Sequence, residues 1–328
     1  MIGRNDRRAF LKQVACTACA LPFAGLDHQT GSRRVRRIGF LIGPEQSLID
    51  AFQDALKKLG YVEGQNLVVE LRIASGAETA KYAVDLASSG VELVVAAALP
   101  QALEIRRANP SMPMVIATCP GMVSNGFAKT LDHPGGNVTG LDELPPGVTA
   151  KRLTLLKNAA PRVTRVALLS TTPGQGGHET QLAEAQQTAS SLGLTVKPYR
   201  ATSITELASA FAAIAGDGMN GLANFQGGLS LANRKVIVDF AAQQKMPAIY
   251  QATMFAEAGG LMAWAPNLEE QFRIAADYVD KILKGRKPGD LPIRHPPKYF
   301  LTINATGAKN IGLTLPPALL AQADRVIP

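Results

Sequence analysis

Reactive side chains are scarce in this chain. Its 328 residues include three cysteines, four histidines and one tryptophan, and aromatic residues make up 5%. The histidines, His28, His133, His178 and His295, form no pair at metal-ligand spacing, so a metal cluster built on them is excluded and each reads as a surface or capping residue. Loss of an N-terminal leader would remove Cys16 and Cys19 and leave Cys119 alone, which excludes an intrachain disulfide framework. No run of 18 apolar residues occurs, so no segment reads as a spanning helix. Phosphate-binding glycine motifs are also missing. Gly174-Gln175-Gly176-Gly177 begins like a dinucleotide fingerprint, but Glu179 stands where the third glycine belongs. There is no Walker A sequence and no Gly-x-Ser-x-Gly elbow.

Charge of one sign is absent from the body of the chain. The net charge is +8, yet residues 1–37 hold eight cations (Arg4, Arg7, Arg8, Lys12, Arg33, Arg34, Arg36, Arg37) against two acids, Asp6 and Asp27. The remainder is almost neutral, so it lacks the basic face that nucleic-acid binding requires. The basic excess belongs to a segment that reads as targeting. Asp6-Arg7-Arg8-Ala9-Phe10-Leu11-Lys12, followed by a mildly apolar run over 14–25, reads as a twin-arginine export signal within a leader of residues 1–35. That places the protein in the periplasm. Cys16 and Cys19 lack the preceding leucine of a lipid-anchor site.

What is present is a hydrophobic content of 46% in a length that suits two domains of about 150 residues. Short apolar runs alternate with helical stripes. Strands are expected at 37–42, 67–73, 93–98 and 114–117, with helices at 47–59, 79–88 and 101–108 between them; a further strand follows Gly135-Gly136. Residues 142–148, rich in proline and glycine, read as a connection. The pattern then restarts, with strands at 165–170, 194–196, 221–224, 248–250 and 260–264 and helices at 178–192, 204–214, 232–244 and 267–284. Buried apolar strands separated by helices imply parallel sheets covered by helices. The fold class is therefore α/β, with two Rossmann-like lobes forming a clamshell.

Ligands of open α/β sheets bind beyond the carboxyl ends of the strands, so the cleft between two such sheets is the expected site. The loops at 44–46, 99–101, 119–122, 171–175 and 225–227, with residue 251, supply the candidates. They are Pro44, Leu99, Pro100, Cys119, Thr171, Thr172, Asn224, Gln226, Tyr250, Gln251 and Trp264. The amides can orient a ligand by hydrogen bonds, and Trp264 can stack on it. Cys119 with His133 as base is the one nucleophilic alternative, which leaves open an exported α/β enzyme; a ligand sensor is the other.

Several ordered segments carry a resemblance. Leu59-Gly60-Tyr61-Val62-Glu63-Gly64-Gln65-Asn66-Leu67, His133-Pro134-Gly135-Gly136-Asn137-Val138-Thr139-Gly140, Pro247-Ala248-Ile249-Tyr250, Glu257-Ala258-Gly259-Gly260-Leu261-Met262, Tyr278-Val279-Asp280-Lys281-Ile282-Leu283-Lys284-Gly285 and Ile311-Gly312-Leu313-Thr314-Leu315-Pro316-Pro317 are among them. From about residue 37 to 328 the chain resembles the substrate-binding proteins of ABC transporters of the tryptophan/tyrosine type. The resemblance implies a type I periplasmic-binding-protein clamshell with three crossovers. Lobe 1 would hold 36–145 plus about 262–296, and lobe 2 would hold 146–261 plus about 297–328. It also implies a monomer that closes by a hinge on a small molecule, no cofactor, and an ABC permease with its ATPase as partner. Family members commonly read Gly-Thr-Pro where this chain has Ala98-Leu99-Pro100, and Gly-Asp-Pro where it has Cys119-Pro120-Gly121. Leu99 and Cys119 thus replace polar groups, which implies a less polar carboxylate or aromatic ligand in place of an aromatic amino acid.

Overall fold

The computed structural model describes residues 35–172, 174–225 and 227–328. The twin-arginine motif and the leader up to residue 34 lie outside the described residues. The described chain forms one compact unit.

The first lobe is built from β1 (Arg36–Ile42), α1 (Gln46–Lys58), β2 (Leu67–Ile73), α2 (Glu78–Ser88), β3 (Leu93–Ala98), α3 (Leu99–Ala108), β4 (Met114–Cys119) and β5 (Val138–Asp142). Its five strands run parallel in the order β2-β1-β3-β4-β5. Ile38, Phe40, Leu41 and Ile42 are all buried, because helices cover both faces of a parallel sheet. Ile49, Phe52 and Leu56 recur at helical spacing on α1 and reach one face of that sheet. Gly140 is obligatory here: its φ is +142°, and a Cβ would stand 2.0 Å from the Ile116 carbonyl oxygen.

The second lobe holds α4 (Val148–Ala159), β6 (Arg165–Ser170), α5 (Gly176–Ser191), β7 (Thr195–Arg200), α6 (Ile204–Gly216), β8 (Gly221–Phe225), α7 (Gly228–Ala232), α8 (Arg234–Gln243), β9 (Ala248–Tyr250), α9 (Thr253–Glu257) and β10 (Met262–Pro266). The chain then returns through α10 (Leu268–Leu283), whose Phe272, Val279 and Leu283 join the first-lobe core. It crosses once more to add β11 (Tyr299–Asn304), α11 (Ala305–Asn310), α12 (Pro317–Leu320) and β12 (Arg325–Ile327) to the second lobe. The second sheet runs β12-β11-β10-β9-β8-β6-β7, with β11 antiparallel to β10.

The helix expected at 232–244 is observed as α8, with the short α7 just before it and Asn233 between the two. One expectation needs correction. The return to the first lobe comes at Asn267 and not at about 262, because Met262–Pro266 pairs with β9 and β11 in the second sheet. Asn267 then opens α10 by accepting from the Glu270 N–H at 3.0 Å.

Three crossings join the lobes, at 142–148, 266–268 and 294–299. They are tied to one another. Asp142 N–H donates to the Arg294 carbonyl at 2.9 Å, His295 Nδ1 lies 2.7 Å from the Asp142 carbonyl oxygen, and the Tyr299 hydroxyl donates to the Glu143 carbonyl at 2.9 Å. These bonds give the crossings a common frame.

Candidate functional site

The strand exits of the two sheets face each other. In the first lobe, β1 leads to exposed Pro44, β3 leads through Leu99 to half-buried Pro100 at the start of α3, and β4 leads to Cys119-Pro120-Gly121. Proline suits the first turn of a helix, where its missing N–H costs no bond. The β4 exit is fixed by Asp142, 4% exposed, whose carboxylate accepts from the N–H groups of Gly121 (3.1 Å), Met122 (2.7 Å) and Leu144 (2.9 Å).

In the second lobe, β6 ends at Ser170 and leads into Thr171 and Thr172. Gly227 lies against both; a Cβ on it would stand 2.5 Å from Thr171 Oγ1. α5 begins beside this loop. Gly177, in its first turn, meets the first lobe directly: a Cβ there would stand 1.9 Å from the Pro120 carbonyl oxygen. Pro100 approaches Gly228, whose Cβ would lie 3.9 Å from the proline Cγ. The two edges are thus in contact. One turn further along α5, Gln181 donates to the Gly177 carbonyl at 3.3 Å and accepts from Gln251 Nε2 at the end of β9.

This second-lobe edge carries buried polar atoms without partners among the described residues. They include Thr171 Oγ1, Gln175 Oε1, both ring nitrogens of His178 and both amide atoms of Asn224. His178 is 2% exposed and stands edge-on to Phe225, with ring centroids 5.6 Å apart. Burial lowers its pKa below the ordinary value of 6.5. It is neither a surface nor a capping residue, which corrects the sequence expectation. Unmade hydrogen bonds in a buried position are costly, so such a row requires an explanation.

A second polar group lies at the lobe crossings. Arg152 of α4 is 4% exposed; its Nε donates to the Trp264 carbonyl at 3.1 Å, and its guanidinium lies 5.9 Å from the Trp264 ring centroid. Trp264 stacks on Tyr299, with centroids 4.7 Å apart. Burial lowers the Arg152 pKa to about 10, while Tyr299, Glu143 and Glu184 favour its charge. Glu143 accepts from Gln271 Nε2 at 3.0 Å, and burial raises its pKa against the pull of Gln271 and Arg152.

The structure therefore brings Pro100, Thr171, Thr172 and Gln251 to the facing edges. Gln226 lies outside the described residues. Asn224 is buried at the end of β8. Tyr250 is fully buried among α8 and α9 and stacks on Phe255 at 4.8 Å, so its ring belongs to the lobe core and not to the cleft. Leu99 and Cys119 are likewise packed among Ile105, Met112, Met122 and Phe127. Their replacement of polar family residues alters the packing of lobe 1, so it no longer argues for a less polar ligand. Burial, with Asp142 and Glu143 next, raises the Cys119 thiol well above its ordinary pKa, the reverse of what a nucleophile needs. Trp264 sits beside the lobe crossings against Tyr299 and Arg152.

Sequence reasoning missed Asp142, Glu143, Arg152, His178, Gln181 and Gln271. One signal was present: Arg152 falls in the stripe of Val148 and Leu156, and Gln181 in that of Leu182 and Ala185. A polar residue in an apolar stripe points to a buried interaction. Two surface depressions, about 380 Å³ beside α12 and about 210 Å³ between α1 and α10, lie away from these edges. No cluster of residues able to hold a metal occurs among the described residues.

Comparison with known proteins agrees with this architecture. A family model described as ABC transporter substrate binding protein matches residues 43–327. A tyrosine-binding protein of Clostridioides difficile (strain R20291) is 22% identical over 293 residues, covering 88% of this chain and 84% of that protein. The ABC domain of Streptococcus pneumoniae in complex with L-Trp superposes with a TM-score of 0.82 at 25% identity, covering 89% of this chain and 100% of the other. A substrate-binding protein with adhesive properties from Clostridium difficile, solved in its ligand-free, open form, gives 0.66 at 23% identity over 89% of this chain and 99% of that one. With the family model spanning most of its length and both lobes in the expected arrangement, the chain belongs to the ABC transporter substrate-binding proteins.

Proposed function

We propose that this chain is the exported solute-binding component of an ABC importer. It captures a small organic ligand, an amino acid or an aromatic or other carboxylate, between its lobes by hinge closure. It then delivers the ligand, as a monomer, to a permease driven by its ATPase. The observation that carries the reading is the row of unpartnered, buried hydroxyl, amide and imidazole groups where the second-lobe strands open onto the first lobe. Such groups supply orientation and specificity to a ligand in a closed cleft. The tighter superposition on the L-Trp complex than on the open, ligand-free structure supports a closed arrangement as the one adopted here. The Trp- and Tyr-binding relatives support an amino acid among the candidate ligands.

In this scheme the protein performs no bond chemistry and uses no cofactor. Asp142 holds the β4 exit in place as a rigid wall. Gly177 lets α5 approach the Pro120 carbonyl, and the α5 side chains complete the enclosure. A ligand that engages both lobes favours the closed state by its differential contacts.

The test is a ligand screen by thermal shift and small-angle scattering, covering amino acids, aromatic acids, aliphatic carboxylates, nucleosides and sugars. A ligand at about a hundredfold its Kd adds about 2.7 kcal/mol of stability, and closure lowers the radius of gyration. A blank in every class refutes the proposal. Cys119 separates it from an exported thiol enzyme: the native thiol is expected to resist alkylation until unfolding, and Cys119→Ala to retain binding. Turnover abolished by that substitution would favour the enzyme.

A further inference from the structure

Two short pieces of the first lobe meet the second. Pro100, in the first turn of α3, approaches Gly228, and the Pro120-Gly121 turn after β4 meets Gly177. The second contact has no slack. A Cβ on Gly177 would stand 1.9 Å from the Pro120 carbonyl oxygen, and a Cβ on Gly121 would stand 2.9 Å from the Gly177 Cα. Two glycines thus face each other across the lobes, and backbone packs on backbone. Contacts this close work only when each side is held to within about 0.5 Å, so the turn after β4 needs a support beyond its own glycine.

Asn125 supplies one part of that support. Its Nδ2 donates to the Pro120 carbonyl at 2.9 Å and to the Gly121 carbonyl at 2.7 Å, so it grips the same oxygen that Gly177 meets. Asn125 is held in turn by Arg106, in the last turn of α3. Arg106 Nη1 donates to the Asn125 carbonyl at 3.1 Å and to the Gly126 carbonyl at 3.2 Å, and its guanidinium lies 4.1 Å from the ring centroid of buried Phe127. Hydrogen bonds from a charged donor are the stronger kind, and the ring adds a cation–π contact. Arg106 lies six residues after Pro100, about 9 Å further along the same helix. The helix that carries one lobe contact at its start therefore clamps, at its end, the turn that carries the other.

We infer that Arg106 is a positioning residue for lobe closure, acting through Asn125 to set the Pro120 carbonyl where α5 can meet it. It fixes the spacing between the Pro100 and Pro120 contacts, so both can form at once. Without it the turn after β4 keeps its Asp142 bonds at one end but loses its anchor at the other. The closed state is then held by one contact in register and one out of it. The assignment rests on the proposed capture of a ligand between the lobes and names what keeps the closed state in register. Its consequence is kinetic: the brace lengthens the life of the closed complex and leaves first encounter with the open form untouched.

The test is surface plasmon resonance on the immobilised full chain. L-tryptophan, L-tyrosine and 3-phenylpropionate are the first probes, followed by every compound that binds in the ligand screen. Arg106→Met keeps a stem to lie on Phe127 and removes the donors. It is expected to raise the dissociation rate about 10-fold and to change the association rate by less than about twofold. Asn125→Ala cuts the same path one link nearer the contact and should act alike. The double variant should dissociate no faster than either single one, because both interrupt one path. In a Gly177→Val background, where the lobes no longer meet, Arg106→Met should leave the rate unchanged. A residue that only stabilised the first lobe would lower its melting temperature with unchanged dissociation, or with losses that add. Where Arg106→Met fails to fold, Arg106→Lys, which keeps stem and charge but loses the planar fork, gives the same comparison. Wild-type dissociation in a folded Arg106 variant, or additive losses in the double variant, overturns the inference and leaves the proposed capture intact. A wild-type chain that binds no compound of any class removes both.

Discussion

In the first lobe the strands that reach the cleft exit into Pro44, Pro100 and Pro120; in the second they exit into Thr171, Thr172 and Gln251. Backbone atoms and proline rings make the first edge, and Asp142 fixes it with three hydrogen bonds. The second edge is made of hydroxyls, amides and an imidazole, several of them buried without partners. The same parallel-sheet plan thus yields a stiff wall on one side and a recognising surface on the other. A backbone wall offers the same groups to any ligand, whereas side chains can be exchanged without disturbing the sheet. Specificity is therefore expected to follow the second lobe and closure the first.

The sharpest way to break that contrast is at the point of contact. Gly177→Val places a side chain where a Cβ alone would stand 1.9 Å from the Pro120 carbonyl oxygen. The lobes must then separate, and overpacking of about 1–3 kcal/mol translates into about 5- to 150-fold weaker ligand binding. Gly228→Ala is the matched comparison, since its Cβ would meet Pro100 at an ordinary 3.9 Å. Calorimetry and scattering should show Gly177→Val open and weak and Gly228→Ala close to wild type. Equal behaviour of the two would mean that the edges do not meet in the ligand-bound state.

A second substitution attacks the wall. Asp142→Ala leaves the N–H groups of Gly121, Met122 and Leu144 without their acceptor. The penalty for unpaired buried groups is about 1–3 kcal/mol each when water cannot enter. An overall loss of about 3 kcal/mol in urea unfolding is expected, since water reaches part of the loop. A change below about 0.5 kcal/mol would show that the β4 exit is held by its own turn geometry.

Much of this architecture was legible because apolar runs and helical stripes repeat with the period that a parallel sheet demands. The strand at 165–170 and the helix expected at 79–88 fall within a residue or so of their observed bounds. Legibility declined where tertiary context decides. β11 and β12 had no independent signal, since they form by pairing across the late crossings. The rule that strands open toward ligands singles out loop residues, so residues reaching the cleft region from helices, such as Arg152, His178 and Gln181, escape it. Leu99, Cys119 and Tyr250 occupy the right chain positions, yet their side chains turn into the lobe cores, and chain position alone does not fix that direction.

The smallest expected effect is the most specific to the second-lobe edge. His178 is buried and held neutral, so its pKa lies below 6.5 in the folded chain. Glu179 pulls toward the charged form and Arg200 against it, but burial outweighs both. Above pH 6.5 the imidazole is neutral in the folded and unfolded chains, and its contribution is fully present. As pH falls through 6.5 the unfolded chain takes the proton first, so stability declines until the folded value is passed. The slope from one group cannot exceed about 1.4 kcal/mol per pH unit. Glu143, whose pKa burial raises, contributes with the opposite sign: its share is present at low pH and lost as pH rises through its folded value. The difference between the wild-type chain and His178→Gln isolates the imidazole, because Glu143 acts alike in both. Unfolding measured from pH 7 to pH 5 should show the wild type losing more stability than the variant. Identical slopes would mean that His178 meets water or a donor in solution, and the second-lobe edge would then be as indifferent to charge as the proline wall it faces.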